Sequence, residues 1–199
     1  ALCRLEELGM LTYVHPRLRC DKWLGVKFGA LREELNPETW GLNSEDIFFL
    51  HLALMAYRLN RDHLEELVAR LKIGREDATD LHLLLDLKST LPQLGRGRRP
   101  SAIYHLLEPY PARVLAAAWV ATDRKRTRKH LLQYQTRWRL VKTELTGDDL
   151  KAMGLKPGPI FGQLLKTLRD VRLDGKVSTR EEEEALVKKL IAASEKEKE

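Results

Sequence analysis

Between Ile47 and Tyr57 the chain reads IFFLHLALMAY, apolar on nearly every side of a helix. A helix without a polar face must be surrounded by other elements, so this stretch predicts a central core helix wrapped by amphipathic neighbours. Ser44 reads as its N-cap, with Glu45 and Asp46 complementing the dipole in the first turn and an expected end near Leu59. Elsewhere apolar residues recur at helical spacing, and no run alternates as a half-buried strand does. The expected fold class is therefore all-α. With 199 residues there is material for one large domain or two small ones.

The neighbours can be placed one by one. Leu2, Leu5 and Leu8 lie on a first helix that stops at Gly9, and Trp23, Leu24, Phe28, Leu31 and Leu35 on a second that ends at Asn36-Pro37. Asn60 caps a helix with Leu64, Leu67, Val68 and Leu71 on one face, stopped by Gly74. A further helix is expected from about Glu76 to Leu91. After a basic loop at residues 95–100 come a short helix from Ser101 to about Glu108 and a small-residue helix from Ala112 to Ala121.

Charge is distributed unevenly. The whole chain carries +6, yet residues 95–142 hold twelve Lys and Arg against two Asp and Glu, a surplus of +10 that leaves −4 for the remainder. An anionic partner is implied, although charge alone does not separate RNA, DNA and an acidic membrane. The candidate phosphate contacts are Arg96, Arg98 and Arg99 in the loop, Arg124, Lys125, Arg126, Arg128 and Lys129 along the next helix, and Arg137, Arg139 and Lys142 beyond. Arg124, Arg128 and Lys129 share one helical face, where like charges repel unless a polyanion neutralises them. Tyr134 and Trp138, one turn apart, are candidates for base stacking; burial in the core is the competing assignment.

Past Thr143 lies a small helical unit. Thr146 caps a short helix, and the turn Gly154-Leu155-Lys156-Pro157-Gly158-Pro159 opens another running to about Leu173. Thr179 and Glu182 form a capping box for the last helix. The turn resembles a helix-hairpin-helix, which grips a nucleic-acid backbone through main-chain N–H groups. Gly158 would admit close approach, Gly162 would keep the helix surface bare, and Lys156 and Lys166 would supplement the grip. An ordinary helical hairpin with glycines serving packing is the alternative.

No catalytic constellation emerges, and neither catalytic nor metal-binding residues are expected. Asp148 and Asp149 sit at a helix start, where they complement the dipole. The run Glu181 to Glu184 reads as a solvated face, and His51 and His63 as interior histidines. Cys3 and Cys20 form no metal-type pair and no disulfide framework, which predicts a reducing, cytoplasmic setting. No apolar run approaches a bilayer span and no signal peptide is visible, so no membrane partner is expected. Ala1, at the start of a helical pattern in place of Met, reads as the beginning of a fragment or processed chain.

The stretch LTGDDLKAMGLKPGPIFGQLLKTLRDVRLDGKVSTREEEEALV resembles the tail of bacterial tRNA nucleotidyltransferases and the related poly(A) polymerases. LCRLEELGMLTYVHPRL is similar to the junction of their neck and body, and the likeness continues through Pro100-Ser101-Ala102-Ile103-Tyr104. The resemblance implies three regions: the end of a neck-like helical region over 1–36, a helical body over 37–144, and a helical tail over 145–199. Family members carry metal-binding aspartates in an α/β head and a Glu-Asp-x-x-Arg motif in the neck; this chain has neither. The resemblance therefore implies a tRNA-binding body and tail that hold the acceptor and T arms for addition of A or CCA to the 3′ end. The missing N-terminal head and neck would be a further partner, and Mg2+ with ATP or CTP would be cofactors of that head, with none in this chain. Gly154, Pro157, Gly158, Pro159 and Gly162 match the tail motif as a backbone-contact element. A stand-alone helical RNA- or DNA-binding module without enzymatic activity is the competing expectation.

Overall fold

The structure is a computed structural model describing residues 2–95, 97–155 and 158–196. Arg96, Lys156 and Pro157 lie outside the described residues. In chain order the helices are α1 (Leu2–Glu7), α2 (Leu11–Val14), α3 (Lys22–Glu33), α4 (Pro37–Trp40), α5 (Ser44–Ala56), α6 (Arg61–Leu71), α7 (Arg75–Leu94), α8 (Pro100–Leu107), α9 (Ala112–Ala121), α10 (Lys125–Thr136), α11 (Gly147–Ala152), α12 (Pro159–Leu173) and α13 (Arg180–Lys196), with a 3-10 turn at Trp138–Leu140. The described residues contain no strand, so the protein is all-α. None of these helices is long and apolar enough to cross a membrane. Two compact units are formed: Ala1–Gly97 with Leu106–Thr136, and Arg98–His105 with Arg137–Glu199.

The first unit is organised around α9. Val114, Leu115, Ala116, Ala117, Ala118, Val120 and Ala121 are all buried, and α9 packs on α3, α4, α5, α7 and α10. Alanines let these neighbours approach closely at little entropic cost. The sequence places α5 at this centre. It is a core helix, burying Phe49, Leu50, Ala53 and Leu54, but Phe48 is 71% exposed, so α5 keeps one open side. Its cap is also displaced by one residue: Asn43 and Asp46 form a reciprocal capping box and Ser44 is already helical.

Two further boundaries differ from the sequence reading. Asn36-Pro37 does more than end α3, because the Asn36 side chain caps the additional turn α4, whose Trp40 is 2% exposed. Helix α6 is closed by Lys72, in the left-handed conformation at φ 50°, and Gly74 instead precedes α7. Cys20 is disulfide-bonded, which corrects the expectation that the chain carries no disulfide framework.

In the second unit, Leu145, Leu150, Leu164, Leu168 and Val187 form a small core between α11, α12 and α13. The start of α8 is tied to α12 by bonds from the Ser101 N–H to Asp174 (3.0 Å) and from His105 to Asp170 (2.7 Å). Thr146 and Asp149 cap α11 reciprocally, and Arg180 of α13 joins the Asp149 carboxylate. Donation from the Thr146 hydroxyl and N–H, and then from Arg180, holds the Asp149 carboxyl well below the usual carboxylate range. A depressed folded-state pKa means that the ionised form stabilises the fold; the contribution is complete above the ordinary carboxylate value near 4 and is lost as pH falls below it. The melting temperature of this unit is therefore expected to be flat from pH 7 to about 5 and to fall below about pH 4. Asp149→Asn should flatten that acid limb, as followed by the fluorescence of Trp138; an unchanged limb would remove Asp149 from the account.

Candidate nucleic-acid interface

Helix α10 separates its residues by face. Thr127, Leu131, Tyr134 and Gln135 are buried, and Gln135 donates to the Trp40 carbonyl at 3.2 Å. Arg124, Lys125, Arg126 and Lys129 are exposed. Arg126 donates to the Gly95 carbonyl at 3.1 Å, whereas Arg124, Lys125 and Lys129 form no ion pair with any described residue. Arg128 behaves differently although it lies one turn from Arg124. Its guanidinium sits 3.9 Å from the Trp119 ring centroid and donates to Glu34 at 2.6 Å. That charge is largely satisfied within the protein.

The aromatic pair does not form a stacking platform. Tyr134 is 5% exposed, and Trp138 lies beyond the end of α10 in the 3-10 turn. Burial of Tyr134 in the core of the first unit removes it from any base. Arg98 and Arg99 are exposed, as are Arg137, Arg139 and Lys142 in the second unit. Lys142 borders an open hollow of about 570 Å3 with Arg172 and Ser178, but Arg172 is committed to Glu144 and Glu183.

Charge counting along the chain misses a second basic cluster. Trp23 stacks on Tyr57 with centroids 5.9 Å apart. Arg58 lies over Trp23 at 4.3 Å and Lys88 over Tyr57 at 5.0 Å. Arg17 and Arg19 line a crevice with Trp23 and Arg58. Trp23 comes from α3, and the cations from its leading loop, the residues after α5, and α7, so no short sequence window contains them together. The nearest signal in sequence is the group Arg17, Arg19, Lys22 and Lys27 beside Trp23.

In the tail turn, α11 ends in a left-handed Gly154 at φ 88°, with the Leu155 N–H bonded to the Leu150 carbonyl (3.2 Å) and the Gly154 N–H to Lys151 (2.9 Å). Gly158 and Gly162 are exposed, as is Lys166, and no side chain caps the start of α12. A Cβ at Gly162 would meet nothing within 4 Å, so packing within the chain does not account for that glycine.

Two titratable clusters have the composition of cation sites. Asp46, Glu76, Asp77 and Asp80 converge, but on the Arg113 guanidinium, with Asp80 at 2.6 Å and Asp77 at 2.9 Å. Arg113 stands where a divalent cation would, so these carboxylates do not fit the Mg2+ of a nucleotide-transfer site. His15, His63 and Glu66 bring their ligand atoms within 4.8 Å of one another. The Arg17 N–H points at His15 Nδ1 (3.2 Å), which assigns the ring proton to Nε2, facing Glu66 at 3.0 Å. This is a hydrogen-bonded His–Glu pair. His51 bonds its own helix through the Ile47 carbonyl at 2.8 Å.

An all-helical two-unit chain with an open cationic face of this kind is, in fold, like the CCA-adding enzymes. A CCA-adding enzyme in an apo form superposes with a TM-score of 0.71 at 17% identity, covering 96% of this chain and 44% of that one. Thermotoga maritima CCA-adding enzyme complexed with tRNA gives 0.68 at 16% identity, covering 94% of this chain and 46% of that one. In sequence the chain is similar to the A-adding tRNA nucleotidyltransferase of Geobacter sulfurreducens, 25% identical over 213 residues, covering 92% of this chain and 22% of that protein. No protein-family model matches the chain. The chain thus resembles the body and tail region of bacterial tRNA nucleotidyltransferases, and spans less than half the length of the proteins it matches.

Proposed function

We propose that this chain is the tRNA-holding body and tail of a tRNA nucleotidyltransferase, grasping the acceptor and T arms so that a separate head can add A or CCA to the 3′ end. The observation that carries the reading is the exposed set Arg124, Lys125 and Lys129, without carboxylate partners among the described residues, on a fold shared with CCA-adding enzymes. Like charges held on one helix turn are stabilised by phosphates and release counterions on binding. Arg126 of the first unit and Arg98, Arg99, Arg137, Arg139 and Lys142 of the second supply further phosphate contacts, and the bare Gly158–Gly162 start of α12 with Lys166 supplies a backbone contact within the second unit. Arg96 and Lys156 join on sequence grounds. Fixing the distal arms sets where the 3′ end lies, which is a positioning contribution to catalysis. In this reading metal and nucleotide chemistry is assigned to the head; the acidic cluster Asp46, Glu76, Asp77 and Asp80 is turned onto Arg113.

The test is fluorescence anisotropy of labelled tRNA with the 199-residue chain between 50 and 200 mM salt. Six phosphate contacts would weaken binding by about 10³-fold across that range. Undetectable binding at the low-salt end, or affinity for duplex DNA of equal length matching that for tRNA, would overturn the reading.

A further inference from the structure

A hollow of about 190 Å3 lies between α7 and the α9–α10 connection, lined by Tyr57, Lys88, Leu91, Pro92, Thr122 and Arg124. Its volume equals that of about six waters, and Leu91 and Pro92 give it an apolar wall. Lys88 Nζ uses one of its three donors on the Tyr57 carbonyl at 2.7 Å and makes no ion pair with a described residue. Thr122 Oγ1 accepts from the Arg124 N–H at 3.3 Å, which leaves the hydroxyl proton to donate. The acids nearby are already used: Asp123 lies 2.5 Å from the buried Lys27, and Asp21 pairs with Arg58.

Positive charge is therefore gathered here at a cost. Burial, and after it repulsion from Arg58, lowers the pKa of the Lys88 ammonium, and Arg124 is close enough to act on the Tyr57 hydroxyl. An anion entering the hollow would be met by two cations and a hydroxyl, and would relieve that repulsion.

We propose that this hollow is a phosphate subsite in which Lys88, Arg124 and Thr122 donate to the non-bridging oxygens of a single phosphate group. The ligand chemistry is a phosphate oxyanion, supplied by an RNA phosphodiester or by free phosphate. Only the RNA source rests on the tRNA-holding reading above. Lys88 stands far from Thr122 and Arg124 in sequence, which is why no motif announces the site.

Two measurements on the full 199-residue chain test the proposal. Amide NMR during titration with inorganic phosphate should shift Thr122 and Arg124 in the native protein and leave both still in Lys88→Gln/Arg124→Gln. The salt dependence of tRNA binding should lose about one unit of log–log slope in that double variant, with roughly tenfold weaker affinity near 0.1 M salt. Arg75→Gln, removing an exposed charge elsewhere, should change neither. Arg124→Gln alone, at an exposed position, repeats the test should the double variant fold poorly. Phosphate shifts together with a slope change identify RNA as the source, and shifts without a slope change identify free phosphate; both support the subsite. Native protein that binds tRNA but shows no phosphate shifts, with an unchanged slope in the double variant, overturns it and leaves the tRNA reading intact. Loss of tRNA binding by the native chain instead removes that reading, and the phosphate titration then decides the hollow alone.

Discussion

Glu183→Ala is expected to destabilise the second unit by about 3 kcal/mol. Glu183 is fully buried; one carboxylate oxygen accepts from the Leu145 N–H at 2.9 Å and the other from Arg172 at 2.8 Å. Truncation leaves a buried amide and a half-buried guanidinium without that acceptor, and among the described residues Arg172 retains Glu144, at 2.7 Å. For a unit of this size the loss lowers the melting temperature by roughly 15 °C. Glu183→Gln keeps a carbonyl for Leu145 and sacrifices only the charge, so about 1 kcal/mol is expected. Trp138 fluorescence reports this unit, because Trp23, Trp40 and Trp119 lie in the other. Hydrogen exchange at the Leu145 amide should accelerate in the Ala variant and stay slow in the Gln variant. An Ala variant that melts like the native protein would return Glu183 to the solvated face.

That residue shows where sequence reasoning stops. The run Glu181 to Glu184 reads as a solvated helix start, and Glu182 fulfils that role by capping Ser178 and Thr179. Glu183, however, stands four residues before Val187 and seven before Leu190, on the stripe that faces the core. Periodicity contains the signal, but four identical carboxylates conceal it. The all-α class was legible because apolar spacing is 3.6-fold throughout, and caps such as Asn60 and Thr146 announce themselves by type. The central position of α9 was less legible, since alanine carries little hydrophobic contrast although it packs closest. At the candidate interface, exposure of Arg124, Lys125 and Lys129 follows from the sequence. The Trp23–Tyr57 cluster does not, because its cations meet only after α3, α5 and α7 have packed.

Neutralising Arg124, Lys125 and Lys129 together as glutamines is expected to weaken tRNA binding by about 10²–10³-fold near 0.1 M salt. Each phosphate contact contributes close to 0.9 to the log–log salt slope of a duplex arm, so the slope should fall by about 2.7. Stability should be almost unaffected, because none of the three has a partner to lose among the described residues. Arg128→Gln should give the opposite pattern. Its guanidinium stacks on Trp119 and pairs with Glu34, so its loss costs about 1 kcal/mol of fold stability and leaves the salt slope unchanged. The sequence sets Arg128 on one face with Arg124 and Lys129, and only the packing against Trp119 separates them. A slope change in Arg128→Gln as large as that of a single Lys129→Gln would mean the guanidinium leaves Trp119 to meet RNA. An unchanged tRNA affinity in the triple variant would instead assign this face to a protein contact, and the phosphates would have to be held elsewhere in the chain.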